Sequence, residues 1–214
     1  MTAPQSNPEI AMPVPQPLPL FPLHTVMFPD GLLSLKVFEA RYLDLMSDCL
    51  RSGRAFGVVA LKRGTEARVS DESVDLENVG TCAQIIDVDS AQPGILQLRC
   101  RGTQRFRLSA PHQQSDGLWL AQTSMLPDDE AVAPPEAMRG TVLGLGNAIA
   151  SLKEQGAEPF LEPHEFHSAC WVANRWCEIL PISLAAKQKL MELPDALVRL
   201  QLVDDFLRSK GVVK

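Results

Sequence analysis

The residues of this chain that carry chemistry are few, and their spacing decides how far each can be taken. His164, His167 and Cys170 stand three apart, with Cys177 seven further on. Histidine and cysteine are zinc ligands, but a closed structural site needs four that converge. Cys170 and Cys177 also belong to an apolar stripe with Phe166, Ala169, Ala173, Trp176 and Leu180, which explains both as core. No metal site is expected, and HExxH is absent, since the residue four after His164 is Ser168. Ser183 and Lys187 lie four apart, a spacing that lets two side chains meet on a helix. Helix capping accounts for the serine, however, and a lysine activates a nucleophile only when desolvated. Gly144-Leu145-Gly146 is a fragment of a dinucleotide loop set in an apolar helix, and neither GxxxxGK[ST] nor GxSxG occurs. These residues name no catalytic group and no cofactor.

The most informative polar pattern is Arg99, Arg101, Arg105 and Arg107. All take odd positions, while Leu96, Leu98, Cys100, Phe106 and Leu108 take even ones. In extended chain this sends arginines to one face and apolar side chains to the other, with Gly102 expected to bend the strand between the two halves. Alternating strands usually expose their polar side, so a solvated outer face is the plainer reading. Arg105 and Arg107 are the polar binding candidates, for an acidic partner or a phosphate backbone. Against the second stands the formal net charge of -6, which repels nucleic acid, and the single tyrosine, which offers little for bases to stack on. RNA binding is kept as the alternative function, and a nucleic-acid partner is not expected.

The elements that must position these residues follow from periodicity. Residues 1–16 hold Pro4, Pro8, Pro13 and Pro15 among small and polar residues and read as a flexible tail. Residues 17–127 read as a β lobe with one helix. Strands are expected at 18–23, 32–37, 56–61, 79–88, 95–101, 105–109 and 118–125, separated by turn signals such as Pro29-Asp30-Gly31 and Gln92-Pro93-Gly94. The helix spans 39–52, with Tyr42, Leu45, Met46, Cys49 and Leu50 on one face and Gly53 as its stop. The acidic, proline-bearing stretch 128–135 reads as a linker, and 136–214 as a helical lobe of four helices, with Ser183 an N-cap. Strands followed by helices give an α+β class, with the short strands closing into an antiparallel barrel.

Composition bounds the rest. Hydrophobic residues make up 45% of 214 residues, enough for a substantial core. Five cysteines with no CxxC pair give no disulfide framework and fit a reducing compartment. With no basic and apolar leader, and no run near the ~20 apolar residues of a membrane span, a cytoplasmic protein without membrane contact is expected.

The order of short motifs completes the picture. Leu18-Pro-Leu-Phe-Pro-Leu23, Val26-Met-Phe-Pro29, Phe38-Glu-Ala-Arg-Tyr42, Phe56-Gly-Val-Val59, Val79-Gly-Thr-Cys-Ala83 and Gly102-Thr-Gln-Arg-Phe-Arg107 resemble the amino-terminal domain of Lon proteases, as do Leu180-Pro-Ile-Ser183 and Lys187-Gln-Lys-Leu190. The resemblance covers residues 18–208. It implies a PUA-like β pseudo-barrel followed by a helical bundle, and a part in substrate recognition. The 214 residues show no ATPase module and no Ser–Lys peptidase domain, so a non-catalytic module is expected. Its partner would be an unfolded or extended peptide segment, or a protein, received by an exposed strand edge or apolar groove. Met27 and Phe28 are the first candidate contacts, since Met and Phe form adaptable apolar surfaces. Phe28 filling the barrel is the equal alternative. Arg41 and Tyr42 are assigned to structure. Oligomeric state stays open, a weak dimer included.

Overall fold

The structure, a computed structural model, describes residues 17–64 and 74–213. The expected tail, residues 1–16, lies outside the described residues. Seven strands come first: β1 (Leu18–Leu23), β2 (Leu32–Val37), β3 (Phe56–Arg63), β4 (Asp75–Leu76), β5 (Val79–Gln92), β6 (Ile95–Gln113) and β7 (Trp119–Met125). One helix, α1 (Ala40–Ser52), interrupts them, and α2 (Arg139–Glu154), α3 (Ala169–Ile179), α4 (Leu184–Glu192) and α5 (Ala196–Ser209) follow. The class is α+β, as the order of sequence patterns requires.

Five strands close a ring. β1 pairs with β7, β7 with β6, β6 with β5 and β5 with β3, all antiparallel, and a parallel β1–β3 pairing shuts the circle. β2 adds to the first half of β6, and β4 to the end of β3. Two apolar clusters fill this lobe. Phe21, Tyr42, Met46, Phe56, Leu98 and Cys100 belong to one, and Leu20, Val59, Phe106 and Ala121 to the other. Tyr42, Leu45, Met46 and Cys49 of the helix stripe read from sequence point into the first, with Phe21 and Tyr42 stacked at 4.1 Å between centroids, whereas Leu50, expected on the same face, is exposed.

Where two strands were expected at 95–101 and 105–109, one long β6 runs through. It changes partner at Gly102, from β2 on Leu96–Arg101 to β7 from Phe106 onward. A Cβ on Gly102 would stand 2.3 Å from the Phe28 carbonyl oxygen, so only glycine lets the 28–31 turn lie against the strand. That turn is tied down by Asp30 N–H to the Gly102 carbonyl and Gly102 N–H to the Gly31 carbonyl, both 2.9 Å.

The helical lobe packs about Leu145, Trp171, Val172, Trp176, Leu200 and Leu207, and its cluster reaches into the strands through Val26, Phe28, Ala60 and Val79. α3 begins at Ala169, because the Ser168 side chain caps it by accepting from Trp171 N–H. Phe166, expected on that helix, instead meets the Trp171 ring edge-on from the preceding loop. Ser183 and Asp195 cap α4 and α5. No helix among the described residues is long and apolar enough to cross a membrane.

Candidate peptide-binding groove

Of the four residues expected to meet a partner, Arg107 alone is exposed. Met27 and Phe28 are 5% and 1% exposed, with the Met27 carbonyl accepting from Thr81 Oγ1 at 2.6 Å. Their loop is pinned between the strand and helical lobes, so Phe28 fills the seam between the lobes and presents no surface. Arg105 is 4% exposed. Its Nη1 donates to the Met191 and Leu193 carbonyls at 2.8 Å, and its Nη2 to Asp129 Oδ1 at 2.6 Å. Strand alternation fixed the side of β6 on which Arg105 stands, but not that the helical lobe covers that side. A surface contact through Met27, Phe28 or Arg105 is corrected by this burial. The arginine strip is broken as well, because Arg101 pairs with Asp30 at the turn below Phe28.

The remaining chemical candidates separate. Cys170 donates its thiol to Asp129 Oδ2 at 2.8 Å, and His164 packs on Trp171 with ring centroids 5.6 Å apart. Among the described residues no group of three His, Cys, Asp or Glu side chains is placed to hold a metal. Ser183 Oγ accepts from Ala186 N–H, while Lys187 Nζ donates to the Glu178 carbonyl at 2.8 Å. Burial holds the Lys187 ammonium below its usual range, but each side chain serves a different backbone partner.

A large concavity lies elsewhere, in a groove of about 810 Å³ between α1 and the β1–β7 pair. Leu45 and Cys49 line it from α1, and Leu18, Pro19, Leu120 and Met125 from the strands. Asp44, Asp48, Arg51 and Asp116 give it a charged border. Arg41 sets its closed end: buried against Tyr42, it donates Nη1 to the Gly117 carbonyl at 3.0 Å and so holds the β6–β7 turn beside α1. Met125 is 49% exposed, an apolar side chain half open to solvent at the groove.

Among the described residues, the groove borders a strand edge that is unpaired on one side. Leu126 N–H donates to the Arg105 carbonyl at 2.8 Å, which turns even-numbered residues of this run toward β6. By the period of two, Thr123 and Met125 turn their backbone groups to the opposite side, where β1 runs. Among the described residues, which begin at Pro17, the β1–β7 ladder runs from Leu20 opposite Trp119 to Leu18 opposite Ala121. Thr123 and Met125, which stand opposite Leu108 and Phe106 of β6, have no strand partner on the β1 side among the described residues.

Matching against protein families aligns residues 17–209 with the ATP-dependent protease La (LON) substrate-binding domain. The chain belongs to this family. Similar proteins include a Lon protease of Paraburkholderia phytofirmans, 30% identical over 91% of this chain, and Lon protease 2 of Myxococcus xanthus, 27% identical over 92%. The chain spans 24% of the length of each of these relatives. Among solved structures, a Lon N-terminal domain protein from Xanthomonas campestris is 30% identical, with a TM-score of 0.68 over 87% of this chain and 96% of that one. The N-terminal domain of a Mycobacterium avium complex Lon protease shares the fold, with a TM-score of 0.58 at 17% identity, over 90% of this chain and 98% of that one. The LON substrate-binding fold was thus legible in the motif order.

Proposed function

We propose that this chain is a non-catalytic recognition module that takes an extended segment of an unfolded protein substrate or partner along the free edge of β7, with apolar side chains lodged in the adjoining groove. The observation that carries this reading is the pairing of two features at one place. Thr123 and Met125, whose β1 side has no strand partner among the described residues, would supply ladder hydrogen bonds to any sequence, and an apolar concavity beside them would receive alternate side chains. Together they select extended, apolar-bearing chain over folded surface. An RNA partner finds less here, since Asp44, Asp48 and Asp116 offset Arg41, Arg51 and Arg54 in the lining, and Arg41 and Arg51 are paired with Glu39 and Asp48.

The test is fluorescence anisotropy with a labelled, unstructured peptide of alternating apolar residues. Thr123→Pro removes a backbone N–H that faces the open edge, leaving the β6 ladder whole. Met125→Asp places a charge at the apolar wall. Each is expected to weaken binding about tenfold or more while circular dichroism stays unchanged. Undiminished binding in both folded variants would sink the reading.

A further inference from the structure

A second concavity, of about 220 Å³, opens between the turn before β2 and the helical lobe. Leu32, Leu33, Pro159 and Ile179 line it with apolar side chains, and Glu178 and Lys187 add two charged ones. It shares no lining residue with the β7 groove.

The ends of α3 and the middle of α4 set these two groups. Arg175, 0% exposed, fixes α3 to the turn by donating Nη1 to the Asp30 carbonyl at 2.6 Å and Nη2 to the Pro29 carbonyl at 2.8 Å. Its Nη2 also donates to Glu178 Oε1 at 2.7 Å. Gly31 leaves the room for that carboxyl, since a Cβ there would stand 2.5 Å from Oε1. Among the described residues, Glu178 Oε2 takes no hydrogen bond. Lys187 Nζ caps α3 through the Glu178 carbonyl at 2.8 Å, and no carboxylate among the described residues forms an ion pair with it. Capping uses one of its three N–H groups.

The cluster is short of an anion. Arg175 and Lys187 bring two positive charges against one carboxyl, and burial keeps a proton on that carboxyl up to about 7. Asp30, which adds to this rise, is itself paired with Arg101. Burial also lowers the Lys187 pKa further than Cys177 and Glu178 raise it, as happens to an ammonium without a close counter-ion. Charge withdrawn from water is costly until an opposite charge answers it. The donors on offer are the remaining N–H groups of Lys187 and the O–H of protonated Glu178, a set that suits the two oxygens of a carboxylate. A phosphate would ask for more donors, and the Nη groups of Arg175 are already engaged by the turn.

We propose that this cavity binds a carboxylate carried on a small branched apolar group, the carboxylate lying between Lys187 Nζ and Glu178 Oε2 and the alkyl group against Leu33 and Ile179. A polypeptide C-terminus ending in leucine and a free short branched acid both carry this chemistry. The site is independent of the β7 edge and stands whether or not that edge takes a peptide.

The experiment is isothermal titration of the full chain with N-acetyl-leucine and with its amide, N-acetyl-leucinamide. The acid is expected to bind saturably, and the amide about tenfold or more weakly, because it brings no charge to Lys187. Lys187→Met is expected to weaken the acid by a similar factor, while Lys187→Arg retains most of the affinity. Ionised Glu178 repels the ligand, so affinity falls as pH rises through 7, and Glu178→Gln, which still donates from its amide, removes that fall. A tripeptide ending in leucine is compared with isocaproate: tighter binding by the first assigns the site to chain termini, and by the second to free acids. Equal binding of acid and amide to the unaltered protein overturns the proposal without any variant. Unchanged affinity in a folded Lys187→Met protein, or no saturable binding at millimolar ligand, overturns it as well. The labelled peptide used for the β7 edge is amidated at its C-terminus, so that failure at one site is not read as failure at the other.

Discussion

Arg105 Nη2 lies 2.6 Å from Asp129 Oδ1, and both side chains are 4% exposed. The same carboxylate accepts from Arg199 Nη1 at 2.7 Å through its other oxygen, and from the Cys170 thiol. One acid between the lobes thus ties a barrel strand to α3 and α5. Burial works to raise its pKa, but the hydrogen bonds from Arg199 and Cys170 and the two guanidinium charges outweigh it and hold Asp129 below its ordinary 3.8. Replacing Asp129 with Ala leaves two arginines buried without their counter-charge, and is expected to cost about 3–5 kcal/mol in urea unfolding. The contribution is present above pH 3.8 and is lost as pH falls through the depressed folded value.

Asp129 also marks where sequence reasoning runs out. Periodicity located nearly every strand and helix, because apolar side chains at spacing two or 3.6 report directly which face is buried. It read the stretch around Asp129 as a divider, because acids and prolines in series are the composition of solvated linkers. Whether an acid is solvated depends on Arg105 and Arg199, 24 and 70 residues away, and no local pattern carries that. Met27 and Phe28 failed for a related reason: apolar residues in a turn serve equally as a surface or as a seam between lobes. The groove escaped because it is lined by α1 and by strands far apart in sequence, which no local pattern brings together.

Gly102 is a sharper test of the barrel than any apolar residue. Gly102→Ala places a methyl 2.3 Å from a carbonyl oxygen that is itself held by Gly31 N–H. Neither backbone can yield without opening the 28–31 turn. The substitution is expected to destabilise by about 2–3 kcal/mol, read as a lower midpoint in chemical denaturation. A wild-type midpoint would show that the turn stands off from β6 in solution.

Glu178 gives the protein a second dependence on pH, opposite in sign to that of Asp129. Burial pushes its carboxyl up to about 7, against the lowering pull of Arg175 at 2.7 Å and of Lys187, with Asp30 adding to the rise. The unfolded chain releases this proton near 4.5 and the folded chain near 7, so folding binds a proton between those values. Its share of stability is full below pH 4.5 and is lost as pH rises through 7, a fall on the order of 1–3 kcal/mol. Glu178→Gln is expected to flatten the stability profile between pH 5 and 8. A variant that keeps the wild-type slope would assign the pH dependence to other groups.

Phe28 decides whether the turn before β2 is a binding surface or a structural seam. At 1% exposure it packs in the same cluster as Trp171 and Leu200, so its truncation to Ala removes a ring shared by both lobes. The expected cost is about 3–5 kcal/mol, with peptide affinity unchanged in whatever fraction remains folded. Aspartate at Met27 or Phe28 buries a charge without a partner and is expected to unfold the chain, so lost binding by such a variant carries no information about contact. Thr123→Pro and Met125→Asp leave that seam intact. Titrating the labelled peptide into Phe28→Ala under conditions that keep it folded therefore separates the two roles. Near-wild-type affinity places recognition on the β7 edge, and a specific loss returns it to the loop.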